Sequence, residues 1–217
     1  HAASAARFSG FKDSIVISLD GVGENNAGFF GYYINGKLFK EKTVPMNQSL
    51  GWLYGNTTEI CGFKKHSEEG KVMGLAAYGE PKYLREMETL LALDEDGGCR
   101  ISLRHFAFRR GETMGSPLLA NLLGPARAPQ AEITQAHRDL AASAQSHLER
   151  AFFLNAKSLR EKHGTSQLCL SGGVALNCLA NGKLRTGSGF QEVFVPPGSG
   201  DSGGAIGAAL FVGGLLG

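Results

Sequence analysis

Leu168-Cys-Leu-Ser-Gly-Gly-Val-Ala-Leu-Asn177, followed downstream by Pro196-Pro-Gly-Ser-Gly-Asp-Ser-Gly-Gly204, decides how this chain is read. Residues 167–170 form a short apolar run suited to a buried strand. Ser171-Gly172-Gly173 strips the side chains from the turn, and residues 174–184 then read as a helix. Glycines at such a turn let backbone N–H groups approach an anion at the start of a helix. The second stretch repeats the design: residues 192–195 as strand, Pro196-Pro197 as its stop, and 203–211 as a small-residue helix able to pack closely. Asp201 falls in the connecting loop, where a carboxylate can meet a metal or a phosphate-bound cation. Two strand–loop–helix units in series point to an α/β fold with a ligand at the glycine turns.

Upstream, residues 14–19 read as a strand that ends in Asp20-Gly-Val-Gly-Glu24. Residues 28–34 and 37–44 read as two more strands joined by Asn35-Gly36, a dipeptide favoured in tight hairpins, so three consecutive antiparallel strands are expected. Short helices are expected at 50–62 and 70–78, the second closed by Gly79-Glu80-Pro81, and another at 82–93 before the polar turn 94–98. No clean period runs through 99–130. The longest periodic stretch, 131–162, carries Ile133, Leu140, Leu148, Phe152 and Leu159 and predicts one long helix with a buried stripe.

Composition narrows the function classes. At 217 residues the chain is long enough for a real core, and its 42% hydrophobic and 19% charged content is that of an ordinary globular protein. A formal charge of +2 without a Lys/Arg cluster argues against a nucleic-acid surface. Cys61, Cys99, Cys169 and Cys178 lack zinc-knuckle spacing and suit free thiols in a reducing cytoplasm. No apolar run reaches the length of a membrane span, and no signal peptide is expected. His137 and His147 sit ten residues apart, a separation that does not stack on one helix face, and with His163 they read as surface or helix-dipole residues. Phe29, Phe30, Tyr32 and Tyr33 read as strand packing.

A more specific resemblance is carried by five blocks in order. They are His1-Ala-Ala-Ser-Ala5, Leu19-Asp-Gly-Val-Gly-Glu24, Glu69-Gly-Lys-Val-Met-Gly-Leu-Ala-Ala-Tyr-Gly-Glu-Pro81, Ser171-Gly-Gly-Val-Ala-Leu-Asn177 and Gly200-Asp-Ser-Gly-Gly-Ala-Ile-Gly-Ala-Ala209. Together they resemble the O-carbamoyltransferase family, which includes nodulation-factor and tobramycin carbamoyltransferases and is related to the enzymes that transfer threonylcarbamoyl to tRNA. The resemblance implies an actin-like ATPase (ribonuclease-H-like) fold, mainly the second half of the duplicated domain. Residues 1–13 would end the first half, 14–98 would hold the three strands and nucleotide loops, 99–130 an irregular insertion, and 131–217 the long helix and closing units.

The resemblance also implies a divalent, iron-type metal held by two histidines four apart on a helix and a distant aspartate. His1 matches the second histidine and Asp201 the aspartate; the first histidine would precede the chain, which reads as cut through an Ala-rich helix, so an incomplete metal site is expected. Asp20, Gly21, Val22, Gly23 and Glu24 match the loop along the phosphates and acyl group of a bound adenylate, with Asp20 also a catalytic candidate. Asn177 matches a nucleotide contact and Gly79 a glycine lining the same cleft; Gly172 and Gly173 are nucleotide-binding candidates from their turn, and Lys71 is a catalytic candidate as a phosphate contact. By the same resemblance ATP and carbamoyl phosphate are substrates. A separate carboxy-terminal domain makes carbamoyl adenylate, and the acceptor is a hydroxyl of a small molecule. A tRNA threonylcarbamoyl transfer protein, a non-catalytic nucleotide-binding module and a sugar kinase of the same fold are the alternatives. The absent half-domain should leave apolar surface exposed, so dimerisation or poor solubility is expected of the isolated chain.

Overall fold

The computed structural model describes residues 1–95, 97–106 and 115–216. In chain order its elements are α1 (Ala2–Phe8), β1 (Asp13–Leu19), β2 (Asn26–Ile34), β3 (Lys37–Pro45), α2 (Leu50–Ile60), α3 (Glu69–Leu75), α4 (Leu84–Leu90), β4 (Leu91–Leu93), β5 (Cys99–Ile101), α5 (Pro117–Leu123), α6 (Gln135–His163), β6 (Gln167–Ser171), α7 (Cys178–Gly187), β7 (Glu192–Phe194) and α8 (Gly204–Leu216). The fold is mixed α/β. Two compact units divide the chain: His1–Gly51 with Phe152–Gly217, and Trp52–Ala151.

The first unit is built on a five-stranded sheet in the order β3-β2-β1-β6-β7. β2 runs antiparallel to both β1 and β3, as the hairpin signal predicts. Asn35 at φ 48° and Gly36 at φ 79° supply the two left-handed residues that a type I′ turn requires. β6 and β7 then add parallel to β1. Side chains of Ile15, Ile17, Leu168 and Leu170 alternate onto one face of the sheet and are completely buried. Each contributes about 1.5–3 kcal/mol from its removal from water. Val16 and Cys169 point to the other face, where Ala5 and Ala6 of α1 pack with Tyr33 around them. α8 approaches α1 closely through Gly207, where an added Cβ would stand 3.1 Å from Ser4 Cβ. No charged residue occurs in α8, and Ile206, Phe211 and Val212 on it are about half exposed.

Within the second unit, α2 and α3 lie where expected, and α3 runs into a 3₁₀ turn, Ala76–Tyr78. Gly79 follows and presses against the α6 backbone; a Cβ there would meet the Arg138 carbonyl oxygen at 2.1 Å. This contact delivers the Glu80 N–H to buried Asp139, whose Oδ1 accepts it at 2.9 Å and also accepts from Gln135 Nε2 at 2.8 Å. Lys82 Nζ approaches Asp139 Oδ2 at 3.1 Å. The Glu80 amide first, then Gln135 and Lys82, hold the Asp139 carboxyl well down, at about 2.

Several expected boundaries move. The helix expected at 82–93 stops at Leu90, because Leu91–Leu93 pairs with Cys99–Ile101 as an antiparallel hairpin. The turn expected at 94–98 is closed by Asp94 N–H donating to the Gly98 carbonyl at 2.8 Å, with Asp96 outside the described residues. Within 99–130, expected to be irregular, the chain forms β5, a 3₁₀ turn at Leu103–His105 and α5, which opens on Pro117. These pieces are too short to print a period on the sequence; residues 107–114 of that segment lie outside the described residues. The long helix begins at Gln135 rather than 131. His137 Nδ1 accepts the Thr134 N–H at 3.1 Å, a local bond that starts the helix there. Among the described residues no helix is long and apolar enough to cross a membrane.

The Asp139 network sets an acid limit on stability. Its carboxyl sits below the usual unfolded value of about 3.9, so its contribution is complete above about pH 4 and is lost as the pH falls through about 2. Thermal melting of the parent and of Asp139→Asn between pH 2 and pH 6 is expected to show the parent losing its advantage over that interval, with a flatter profile for the variant.

Candidate functional site

Parallel pairing of β1 with β6 places Ser18 beside Ser171, so the residues that follow, Asp20 and Gly172-Gly173, emerge side by side at the carboxyl ends of two adjacent strands. Ligands of open α/β sheets bind at such strand ends. The Asp20 carboxylate is fixed from two sides. Gly21 N–H donates to Oδ1 at 2.7 Å and Gly173 N–H to Oδ2 at 3.1 Å. Its backbone is held as well, with Asp20 N–H donating to the Ala27 carbonyl and the Ser49 hydroxyl donating to the Asp20 carbonyl, both at 2.8 Å. Gly172 makes the approach possible. Its φ is 84°, and a Cβ there would lie 2.1 Å from the Leu19 carbonyl oxygen.

His1 closes on this carboxylate. Its Nε2 lies 3.1 Å from Asp20 Oδ2 and 3.4 Å from Asp201 Oδ1. The hydrogen bond to Asp20 raises the His1 pKa above the ordinary imidazole value despite burial, and Asp201 adds to the rise. Burial pushes the Asp20 carboxyl up, but the His1 bond and the amides of Gly173 and Gly21 outweigh it and hold the group below the usual carboxylate range. Asp201 differs from its partners. Its side chain is 99% exposed, against 24% for His1 and 23% for Asp20.

One ligand atom from each of His1, Asp20 and Asp201 lies within 4.8 Å of the other two. Metal–ligand bonds of about 2.0–2.2 Å allow two donors on one ion to stand up to about 4.4 Å apart. The set therefore closes on a divalent ion with a shift of a few tenths of an ångström. One imidazole and two carboxylates form an N/O donor set suited to iron, manganese or zinc. The residues fit the ion.

Sequence reasoning names His1 and Asp201 for the metal and assigns Asp20 to the adenylate loop; the structure brings all three together. What it lacks is the β1–β6 register, which makes Asp20 and Gly173 neighbours across 153 positions. An aspartate directly after a buried strand, paired with a glycine turn after a second strand, is the signal that finds it. Along the rest of the loop Val22 and Glu24 are exposed, while Gly23 sits over the Asn26 carbonyl. The helix expected at 174–184 is interrupted: Gly173–Leu176 is a 3₁₀ turn and α7 starts at Cys178. Asn177 is not a turn inside the helix but its cap, with Oδ1 accepting the Ala180 N–H at 3.0 Å. Lys71 and Gly79 belong to the second unit. Lys71 pairs with Glu68 and lies over the Phe63 ring at 5.5 Å.

The carbamoyltransferase N-terminus family model matches residues 1–210. The chain belongs to that family. An uncharacterised protein of Synechocystis, sll1178, is 42% identical over 98% of this chain and 35% of its own length. Nodulation protein NolO of Bradyrhizobium diazoefficiens is 38% identical over the whole chain and 38% of its own length. The chain thus spans little more than a third of these relatives. The solved structure of T. kodakarensis HypF aligns with all of this chain and 36% of its own, at 18% identity and a TM-score of 0.48.

Gly172→Ala is expected to cost about 1–3 kcal/mol, since it forces a side chain into a left-handed backbone and against the Leu19 carbonyl. Gly74→Ala, with nothing within 4 Å of the added methyl in α3, is expected to stabilise by about 0.5–1 kcal/mol. Urea unfolding of the two variants checks both signs. Equal effects would mean that Gly172 is not required by its backbone conformation.

Proposed function

We propose that this chain is the acyl-transfer portion of an O-carbamoyltransferase: it receives carbamoyl adenylate and passes the carbamoyl group to a hydroxyl of a small-molecule acceptor. The observation that carries the reading is the convergence of His1, Asp20 and Asp201 on one point beside the glycine turn of β6. Membership of the carbamoyltransferase N-terminus family supports it. So does the order of elements, three antiparallel strands followed by two parallel strand–helix units in one sheet, which suits the second half of an actin-like, ribonuclease-H-like fold.

In this reading the acceptor oxygen attacks the carbamoyl carbon, the bond from that carbon to the AMP phosphate oxygen breaks, and AMP departs with the electron pair. A divalent ion, iron by resemblance, supplies Lewis-acid polarisation of the acyl carbonyl when bound. His1, Asp20 and Asp201 would hold that ion. Asp20, clamped by two amides, keeps one oxygen aimed at the cluster without the entropy loss of ordering a free side chain. The proton of the acceptor hydroxyl needs a base, which a carboxylate oxygen of Asp20 or Asp201 turned away from the ion would supply.

Carbamoyl adenylate would come from ATP and carbamoyl phosphate on a carboxy-terminal domain of the longer protein. The roles of Gly79 and Asn177 at the nucleotide rest on the family resemblance, and that of Lys71 as a phosphate contact on its residue type alone. A reducing cytoplasmic setting is supported by Cys61 and Cys169, two buried thiols outside any disulfide. A transfer reaction on tRNA is disfavoured by a formal charge of +2.

Calorimetric titration with a non-hydrolysable ATP analogue, with and without ferrous ion, tests the reading against an Asp201→Ala variant. Binding is expected to tighten at least tenfold with the ion in the parent and to lose that gain in the variant. Nucleotide affinity indifferent to the ion in both proteins would refute a shared metal and nucleotide site.

A further inference from the structure

Two buried polar atoms beside the cluster have no hydrogen-bond partner, His1 Nδ1 and Ser171 Oγ. A buried polar atom left alone costs free energy, and each one in a folded protein calls for an explanation. These two lie in one layer of the fold. α1 precedes β1 through a short turn and runs back over β1 and β6, so that Ala5 packs on Val16 and Cys169. His1 accepts the Ala5 N–H at 3.1 Å and so stands one helical turn, about 5.4 Å, from Ala5 in the direction of Asp20. Ser171 stands two strand residues, about 6.6 Å, beyond Cys169 in that same direction, and by alternation its side chain shares the Cys169 face of the sheet. The two displacements match, which brings His1 over Ser171, with Nε2 of the ring on the cluster and Nδ1 on the buried side.

Facing two carboxylates, Nε2 carries a proton. An ion in the cluster takes the Nε2 lone pair instead, and the ring then keeps its proton on Nδ1, where an acceptor is needed. Histidines on a metal almost always donate that second N–H, and its acceptor fixes both the tautomer and the orientation of the ring. A serine hydroxyl has the lone pairs for it. We propose that Ser171 is a positioning residue whose hydroxyl accepts the Nδ1–H of His1 and turns the Nε2 lone pair of the ring toward the ion. The proposal deepens the metal reading and rests on it. It gives the Ser171 side chain a task in the loaded protein alone, because in the ion-free fold its hydroxyl holds nothing and its removal breaks no bond.

Calorimetry with ferrous ion, air excluded, on the parent chain, Ser171→Ala and Ser171→Thr gives the affinities, and NMR of the same proteins loaded with diamagnetic zinc reads the imidazole proton directly. Ser171→Ala is expected to melt at the parent temperature without ion, to bind ferrous ion about tenfold to a hundredfold more weakly, and to lose the slowly exchanging Nδ1–H signal of His1. Ser171→Thr keeps a hydroxyl and is expected to keep that signal. In the zinc-loaded parent the same proton should show a nuclear Overhauser contact with the Ser171 β protons, a result that depends on no variant folding. Absence of that contact overturns the proposal and leaves the metal reading standing, as does equal ferrous affinity of the parent and Ser171→Ala. Weaker binding by Ser171→Ala with a lowered ion-free melting temperature and an unchanged Nδ1–H signal also overturns it, because Ser171 would then act on the fold and not on the ring. Failure of the parent to bind either ion removes the metal reading and this inference with it.

Discussion

Two backbone amides on one carboxylate organise the first unit. Gly21 N–H comes from the same turn as Asp20, whereas Gly173 N–H comes from the far end of the chain, so the Asp20 side chain joins the exits of β1 and β6. The link needs β6 parallel to β1 in the observed register and a residue at 172 that tolerates a left-handed backbone against the Leu19 carbonyl. With those conditions met, a buried strand pair ends in a fixed, ionised oxygen. His1 is drawn to that oxygen from α1, and Asp201 completes the group from the loop before α8.

Much of this architecture is legible in the sequence because its signals are local. Asn35-Gly36 specifies its hairpin by backbone conformation alone, and the two glycine turns after apolar runs mark β6 and β7 with their helices. Resemblance supplies His1 and Asp201. Asp20 as a third member of the cluster is not legible in the same way, because nothing near it in the chain reports which strand will lie alongside. The place of Asn177 in its helix is hidden for another reason. A helical period does not distinguish a continuous helix from a 3₁₀ turn followed by a capped one, and the difference lies in a single side-chain bond to the Ala180 N–H. The hairpin of β4 and β5 is lost in the sequence because three-residue strands carry too few alternations to outweigh the helical pattern before them.

The second unit shows the same economy in a structural role. Gly79 brings a loop against α6, and the buried carboxylate of Asp139 on that helix has its lone pairs taken up by Glu80, Gln135 and Lys82. A close glycine contact that delivers an amide to an aspartate therefore occurs in both units, once around Asp20 and once around Asp139.

The edges of the sheet carry a consequence for how the chain behaves in concentrated solution. One edge is β3, which opens with Lys37, carries an exposed Lys40 and closes with Pro45; the other is β7, only three residues long and followed by Pro196-Pro197. Lysine, proline and shortness each oppose the addition of a foreign strand. Exposed apolar side chains also stand on α8, at Ile206, Phe211 and Val212, and the backbone hydrogen bonds of a helix are already internal. Self-association through this surface would be side-chain adhesion, reversible on dilution, rather than growth of a cross-β fibre.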